Sequence, residues 1–306
     1  MLSTVSGNPC AAAGYGENNA AMMINAFRGM ERLLWAALIC GGAAACTSEA
    51  SALRVGTTYT VEQSGALVIL DSLHPPAPVT VVVGPSGQIL RSAAAGDLDV
   101  ALTHAPTLEQ RLLVAAGHVA LRCPFVASRF AIVGPGADPA GVARASGAAD
   151  ALRRIAAAAE RAGGGGGTGF VSRGDSSGTH VKEVALWEAA GVSPAGRPWY
   201  VQSGADQAAT VRIADERGAY ALVDLPTFAR LTGVELRVLY TGDSALVNPY
   251  TLYVIRSTPP HPAAAQFGAW ALAAWRERLL ALRLPDGTAA FAPRPGGCAA
   301  PAAGAP

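Results

Sequence analysis

Residues 53–106 read LRVGTTYTVEQSGALVILDSLHPPAPVTVVVGPSGQILRSAAAGDLDVALTHAP. Short β-branched runs, LRVGTT, PVTVVVG and VALTHAP, alternate here with helical patterns over 66–73 and 88–95. The order strand, helix, strand, helix, strand predicts a parallel sheet, because a crossover helix is what returns the chain in the same direction. In open sheets of this kind ligands sit beyond the carboxyl ends of the strands, so the loops that follow them are where function is to be sought.

The same alternation continues outward. RFAIVGP at 129–135 reads as a strand, and the helix at 148–162 carries Leu152, Ile155 and Ala156 on one face, with Arg153, Arg154 and Glu160 elsewhere. Then come the strand GFVSR, a helix over 180–191, a strand near 199–204, a helix over 209–218 and the strand AYALVD. The strand NPYTLYVI and the helix over 263–283 return to the first unit, so the chain crosses twice between two lobes and the crossings form a hinge. The expected division is a leader at 1–50, a first lobe of 51–125 plus 243–290, a second lobe of 126–242 and a flexible C-terminal tail at 291–306. The glycine run 163–167 lacks the Lys and Ser/Thr pair of a phosphate loop and reads as a connector.

Composition narrows the class. The chain has 306 residues, 51% hydrophobic and 15% charged, which is long enough for two packed lobes and too apolar for disorder. Lys and Arg balance Asp and Glu to a formal net charge of +1, so no global field draws nucleic acid or an anionic membrane. Any anion site must therefore be local. Arg32 precedes the apolar run 33–39, and small residues lead to Cys46, which reads as an export leader. Ala43, Ala44 and Ala45 ahead of Cys46 form a weak lipid-attachment pattern, leaving lipidation and simple cleavage both open. A start at Met22 or Met30 would give a more ordinary leader. The location expected is periplasmic or extracytoplasmic. With Cys10, Cys40 and Cys46 in or beside the leader, Cys123 and Cys298 remain, and their pairing is permitted but not implied by spacing.

The sharpest local motif is Ser172-Arg173-Gly174-Asp175-Ser176-Ser177-Gly178-Thr179, between a β-run and a helix. At a helix start, Ser177 or Thr179 sits among unsatisfied N–H groups and the positive end of the macrodipole, and Gly178 lets the backbone come close. Arg173 offers a planar fork to two oxygens, while Asp175 orients and partly neutralises it. Taken alone, the motif also fits a plain helix cap with Arg173 on the surface. Thr57-Thr58-Tyr59-Thr60 after the first strand is a second cluster of donors, equally readable as a Thr-rich turn. Gly84-Pro85-Ser86-Gly87-Gln88 is a third, with Ser86 as donor and Gly87 supporting it. Three donor-rich loops at strand ends predict one shared anion site. His104, which ends the strand VALTHAP, reads either as a supporting donor or as a structural histidine. Catalysis and metal binding are not indicated: Ser177 lacks a G-x-S-x-G frame, and His74, His104, His118, His180 and His261 show no H-E-x-x-H spacing.

Over 53–256 the chain resembles the tungstate-binding protein family, the extracytoplasmic component of tungstate ABC importers. The resemblance rests on TTYTVEQSG, AAAGDLDVALTHAP, FVSRGDSSGTHVKEVALWEAAGV, WYVQSGADQAATVRIADERGAYALVD and VNPYTLYVI, in that order. It implies a two-lobed class II periplasmic binding protein, with mixed sheets flanked by helices and the ligand cleft between the lobes. It also implies Thr57 and Thr58 as first-loop donors, Ser86 as the second-loop donor, Arg173 as the cationic clamp, and Ser177, Gly178 and Thr179 at the helix end. Where the family has a third threonine and a serine, this chain has Tyr59 and Thr60, and Tyr59 would resize the pocket. The family's threonine in the second loop is Ser86 here. Its implied partners are the permease and its ATPase, with no cofactor and a monomeric binding protein.

A site made only of donors suits tungstate or molybdate, which are fully deprotonated near neutral pH, whereas monoprotonated phosphate needs an acceptor. Phosphate binders share a similar R-x-D-x-S-G-T arrangement, so molybdate, phosphate or another oxyanion is the alternative ligand. A hydrolase using Ser177 would need a base in reach, and a DNA-linked sensor a helix-turn-helix segment. The sequence shows neither.

Overall fold

The computed structural model describes residues 51–163 and 167–301. The expected leader over 1–50, with its cysteines, and most of the glycine run lie outside the described residues. β1 (Leu53–Thr58) passes through two short helices, α1 (Tyr59–Gln63) and α2 (Ala66–Ser72), to β2 (Val79–Gly84). From there α3 (Ser86–Ala94) leads to β3 (Val100–Thr103). β1 is parallel to β2 and β3, as expected, and lies between them. The first loop, read from sequence as a donor loop or a Thr-rich turn, is partly helical. Residues 59–63 wind into one helical turn, ended where Gly65 takes φ 84° and its N–H reaches the Glu62 carbonyl.

After α4 (Pro106–Glu109) and a π-helical turn at Gln110–Val114, β4 (Val119–Gly134) runs for 16 residues. The strand expected at 129–135 is its second half. Next come α5 (Ala148–Arg161), β5 (Phe170–Ser172), α6 (Gly178–Ala190), β6 (Tyr200–Gln202) and α7 (Gln207–Glu216). They are followed by β7 (Ala221–Asp224), α8 (Leu225–Phe228) and β8 (Arg237–Tyr240). β9 (Val247–Ile255) then pairs antiparallel with both β3 and β4. The expected helix over 263–283 is three pieces, α9 (Ala264–Trp270), a π-helical segment Ala271–Trp275 and α10 (Arg276–Leu280).

β4 explains the architecture. Up to Arg129 it pairs with β9, and from Phe130 onward with β7 and β8, all antiparallel. The cores change at the same place. Phe125 and Val126 pack with Leu53, Val100, Leu252, Phe267 and Trp275, whereas Phe130 and Ile132 pack with Ile155, Phe170, Trp187 and Tyr220. At the start of β9 the change falls between Leu246, just before the strand, and Tyr250 within it. The product is a mixed α/β fold with sheets flanked by helices and two cores joined by β4 and β9. Trp187 and Trp275 are core residues, and Trp275 also donates its indole N–H to the Ala66 carbonyl at 3.0 Å.

The C-terminal segment corrects the expectation of a free tail. Phe291 is buried, β10 (Ala292–Pro293) pairs with β4, and Arg122 and Ala299 exchange two backbone hydrogen bonds. Cys298 forms a disulfide with Cys123, so the segment is fastened to the first core as far as residue 301. The bridge closes a separation of 175 residues. Cys298→Ser is expected to cost about 2–5 kcal/mol of stability. Urea unfolding with and without reductant measures it, and equal midpoints for the oxidised and reduced protein would exclude the bridge from the stability of the fold.

Candidate functional site

The carboxyl ends of β1, β2 and β5 bring the three expected loops together. Their contacts run between the two cores. The Gly178 N–H at the start of α6 donates to Ser86 Oγ at 3.1 Å, and the Gly87 N–H donates to the Ser176 carbonyl at 3.3 Å. Gln63 Oε1, at the end of α1, accepts from the Ala208 N–H of α7 at 3.1 Å. Gly178 makes the closest approach. A Cβ at that position would lie 2.5 Å from His104 Cε1 and 2.8 Å from the His104 carbonyl oxygen, so only glycine fits.

Arg173 leaves β5 into this junction with its side chain 2% exposed. One NH2 group donates to Asp175 Oδ2, and Asp175 Oδ1 accepts from the Ser177 N–H at 3.1 Å. Asp175 therefore shapes the loop and holds the guanidinium, as expected. Two left-handed residues, Gly174 at φ 64° and Ser176 at φ 58°, turn the chain around it. Burial holds the guanidinium below its ordinary range, with Asp175 acting against that shift. Arg173 Nε is buried with no partner in the protein, which is the donor pattern of a site that takes an external acceptor. The Tyr59 ring lies 6.0 Å from Arg173 Cζ, close enough for a cation–π contact.

The hydrogen bonds sort the expected hydroxyl donors. Thr57 spends its proton on the Leu102 carbonyl at 3.2 Å, and Thr179 spends its own on Gln207 Oε1 at 3.2 Å. Ser177 is the N-cap of α6 and accepts from the His180 N–H at 3.2 Å, while Ser86 accepts from Gly178. Both serines act as acceptors in these bonds and so keep a proton to give. Arg173, Ser86 and Ser177 are thus the side chains here with a donor to spare. Thr58 bonds to Thr60 at 2.8 Å.

Behind the first loop lies a buried polar chain. Thr60 meets His104 Nε2 at 2.8 Å, and His104 Nδ1 meets Asn248 Oδ1 at 2.9 Å. Asn248 Nδ2 shares its two protons among Ser128 Oγ, Asp224 Oδ1 and Tyr250 OH, at 2.9–3.1 Å. Ser128 also donates to Asp224. Burial pushes the His104 imidazole down to about 4 and the Asp224 carboxyl up to about 6. Thr60 belongs to the donor cluster read from sequence, whereas Ser128, Asp224 and Asn248 were not singled out there. Asn248 and Asp224 each end or open a motif recognisable in the chain, but their convergence needs the pairing of β4 with β7 and β9. On the far side of Arg173, burial pushes Glu183 up to about 7. It accepts from Trp187 Nε1 and Tyr200 OH, with Ser172 against it.

A cavity of about 460 Å³ lies elsewhere, between α6 and β6, lined mainly by Val184, Trp187, Val192, Pro194 and Tyr200. None of the spare donors lines it, and it is too apolar to hold an anion. Among the described residues no cluster of His, Cys, Asp or Glu is placed to hold a metal ion, and no helix is long and apolar enough to cross a membrane.

Residues 44–274 match the model of a family described as a PBP superfamily domain. A Haloferax volcanii protein, whose name assigns it anion binding in an ABC transporter, is 36% identical over 222 residues. That match covers 69% of this chain and 61% of the relative, so the chain spans less than two thirds of that relative's length. The tungstate-binding protein TupA of Peptoclostridium acidaminophilum is 31% identical over 67% of this chain and 70% of its own. A solved structure of the tungstate ABC transporter from Geobacter sulfurreducens is 36% identical with a TM-score of 0.61, covering 72% of this chain and 94% of that one.

Proposed function

Because the chain belongs to the PBP superfamily, within its tungstate-binding protein family, we propose that it is an extracytoplasmic solute-binding protein that captures tungstate for an ABC importer. The observation that carries the reading is Arg173: a buried guanidinium with a single carboxylate partner and an unpartnered Nε, beside the spare hydroxyl donors of Ser86 and Ser177. The Ser86–Gly178 bond joins the two cores, so closing the lobes 51–125 plus 243–290 and 126–242 on each other orients Ser86 as a donor. Asp175 already spends its oxygens on Arg173 and Ser177, leaving the site poor in acceptors for a protonated oxyanion. The two bases beside Ser177 are both engaged: Asp175 Oδ1 accepts from the Ser177 N–H at 3.1 Å and His180 Nδ1 from the Ser176 N–H at 3.2 Å. This supports binding rather than hydrolysis. In this reading the export leader lies within residues 1–50, with lipidation at Cys46 and simple cleavage as its two alternatives, and the protein acts as a monomer that hands its ligand to a permease and its ATPase.

Isothermal titration calorimetry tests the ligand. We expect tight one-to-one tungstate binding, weaker molybdate binding and no heat from phosphate. Tight phosphate binding would overturn the assignment of tungstate, and silence with all three would overturn the oxyanion reading itself.

A further inference from the structure

The orientation of each hydrogen bond behind the first loop follows from Asp224. Its carboxylate can only accept, and Asn248 Nδ2 lies 2.9 Å from it, so the Asn248 amide must turn its NH2 toward Asp224 and its carbonyl oxygen toward His104. A carbonyl oxygen cannot donate. His104 Nδ1 therefore carries the proton. At neutral pH the buried ring is uncharged, its affinity for a second proton having been lowered by burial, so Nε2 is a bare acceptor. The one hydroxyl proton of Thr60 then goes to Nε2, and the Thr58–Thr60 bond must be donated by Thr58. With Thr57 donating to Leu102, all three hydroxyl protons point into the protein.

The same ring touches each part of the site. It packs on the Tyr250 ring at a 30° tilt with centroids 4.9 Å apart, reaches the first loop through Thr60, and lies against the backbone of Gly178. Through Asn248 on β9 it reaches Ser128 on β4, the two strands that join the cores, and Asp224 on β7.

We propose that His104 is a positioning residue for the oxyanion site: held by Asn248 as its Nδ1–H tautomer, it locks the first loop to the strand crossing and withholds the hydroxyl protons of Thr58 and Thr60 from the ligand. This inference rests on the oxyanion reading above. It departs from the expectation that the first-loop hydroxyls are donors to the ligand, and it assigns their protons to the hinge side.

The test combines ¹⁵N NMR of the imidazole with calorimetry using tungstate. Wild-type protein at pH 7.5 is expected to show the Nδ1–H tautomer, and Asn248→Leu to shift it toward Nε2–H. Asn248→Leu and His104→Leu are each expected to weaken tungstate binding about tenfold, the lower range for groups that support ligand contacts. His104→Gln, whose amide offers one donor and one acceptor as neutral imidazole does, is expected to bind close to the wild-type level. An Nε2–H tautomer in the wild type, or unchanged affinity in folded His104→Leu, overturns the proposal. So does failure of His104→Gln to bind better than His104→Leu, since a purely structural role would not follow donor and acceptor count. Should His104→Leu fail to fold, the wild-type tautomer and Asn248→Leu still decide it. The tautomer is read without ligand, so absence of oxyanion binding by the wild type would sink the functional reading and leave the tautomer assignment to be judged separately.

Discussion

Arg173→Ala is expected to weaken tungstate binding about 100- to 1,000-fold, equivalent to about 3–4 kcal/mol. The size follows from burial. The guanidinium is 2% exposed, so water neither screens its field nor competes for its donors. Its removal also strands Asp175, 10% exposed, which then repels the dianion it helped to hold indirectly. Arg173→Lys should recover only part of the loss, because an ammonium keeps the charge but not the planar fork. Calorimetry gives the affinities, and thermal unfolding without ligand separates a site defect from a folding defect. A folded Arg173→Ala protein with wild-type affinity would remove Arg173 from the site.

Gly178→Ala is expected to abolish high-affinity binding by preventing the lobes from meeting. The added methyl would stand 2.5 Å from the His104 ring and 2.8 Å from its carbonyl oxygen, and a backbone oxygen cannot swing aside as a flexible side chain does. Gly178 opens α6 without a left-handed backbone, so alanine is acceptable to the helix itself and the stability of the protein without ligand should change little. The clash is between elements of different cores. Small-angle scattering should show ligand-induced compaction in the wild type and none in Gly178→Ala. Compaction with wild-type affinity in the variant would show that the helix start and the His104 strand do not close on each other.

Much of this was legible in the chain. The βαβαβ reading of 53–106 held because β-branched runs and helical periods are local signals, and the donor loops fell where parallel strands end. Arg173, Asp175 and Ser177 could be named together because the motif is contiguous and its parts interact within a few residues. The errors were of range. Residues 57–60 read as a donor loop or a Thr-rich turn, yet from Tyr59 to Gln63 the chain winds into a helix whose Thr60 faces a histidine 44 residues on. The C-terminal segment looked free because Pro, Gly and Ala carry no periodicity, and its attachment depends on a cysteine 175 positions away.

The amino-acid sequence by itself determined the fold class, the strand-end loops and the placing of Arg173 beside Asp175 in one of them, since each is set by short-range pattern and residue chemistry. Tertiary structure alone decided which hydroxyls have a proton to offer. Thr57 and Thr179 differ from Ser86 and Ser177 only in the acceptor that folding places beside them. A hydroxyl has one proton, and its direction belongs to the neighbour. Likewise the chain from Asp224 to Thr58 exists only because β4, β7 and β9 meet at one point, where burial keeps His104 neutral and a carboxylate orders every bond behind the loop.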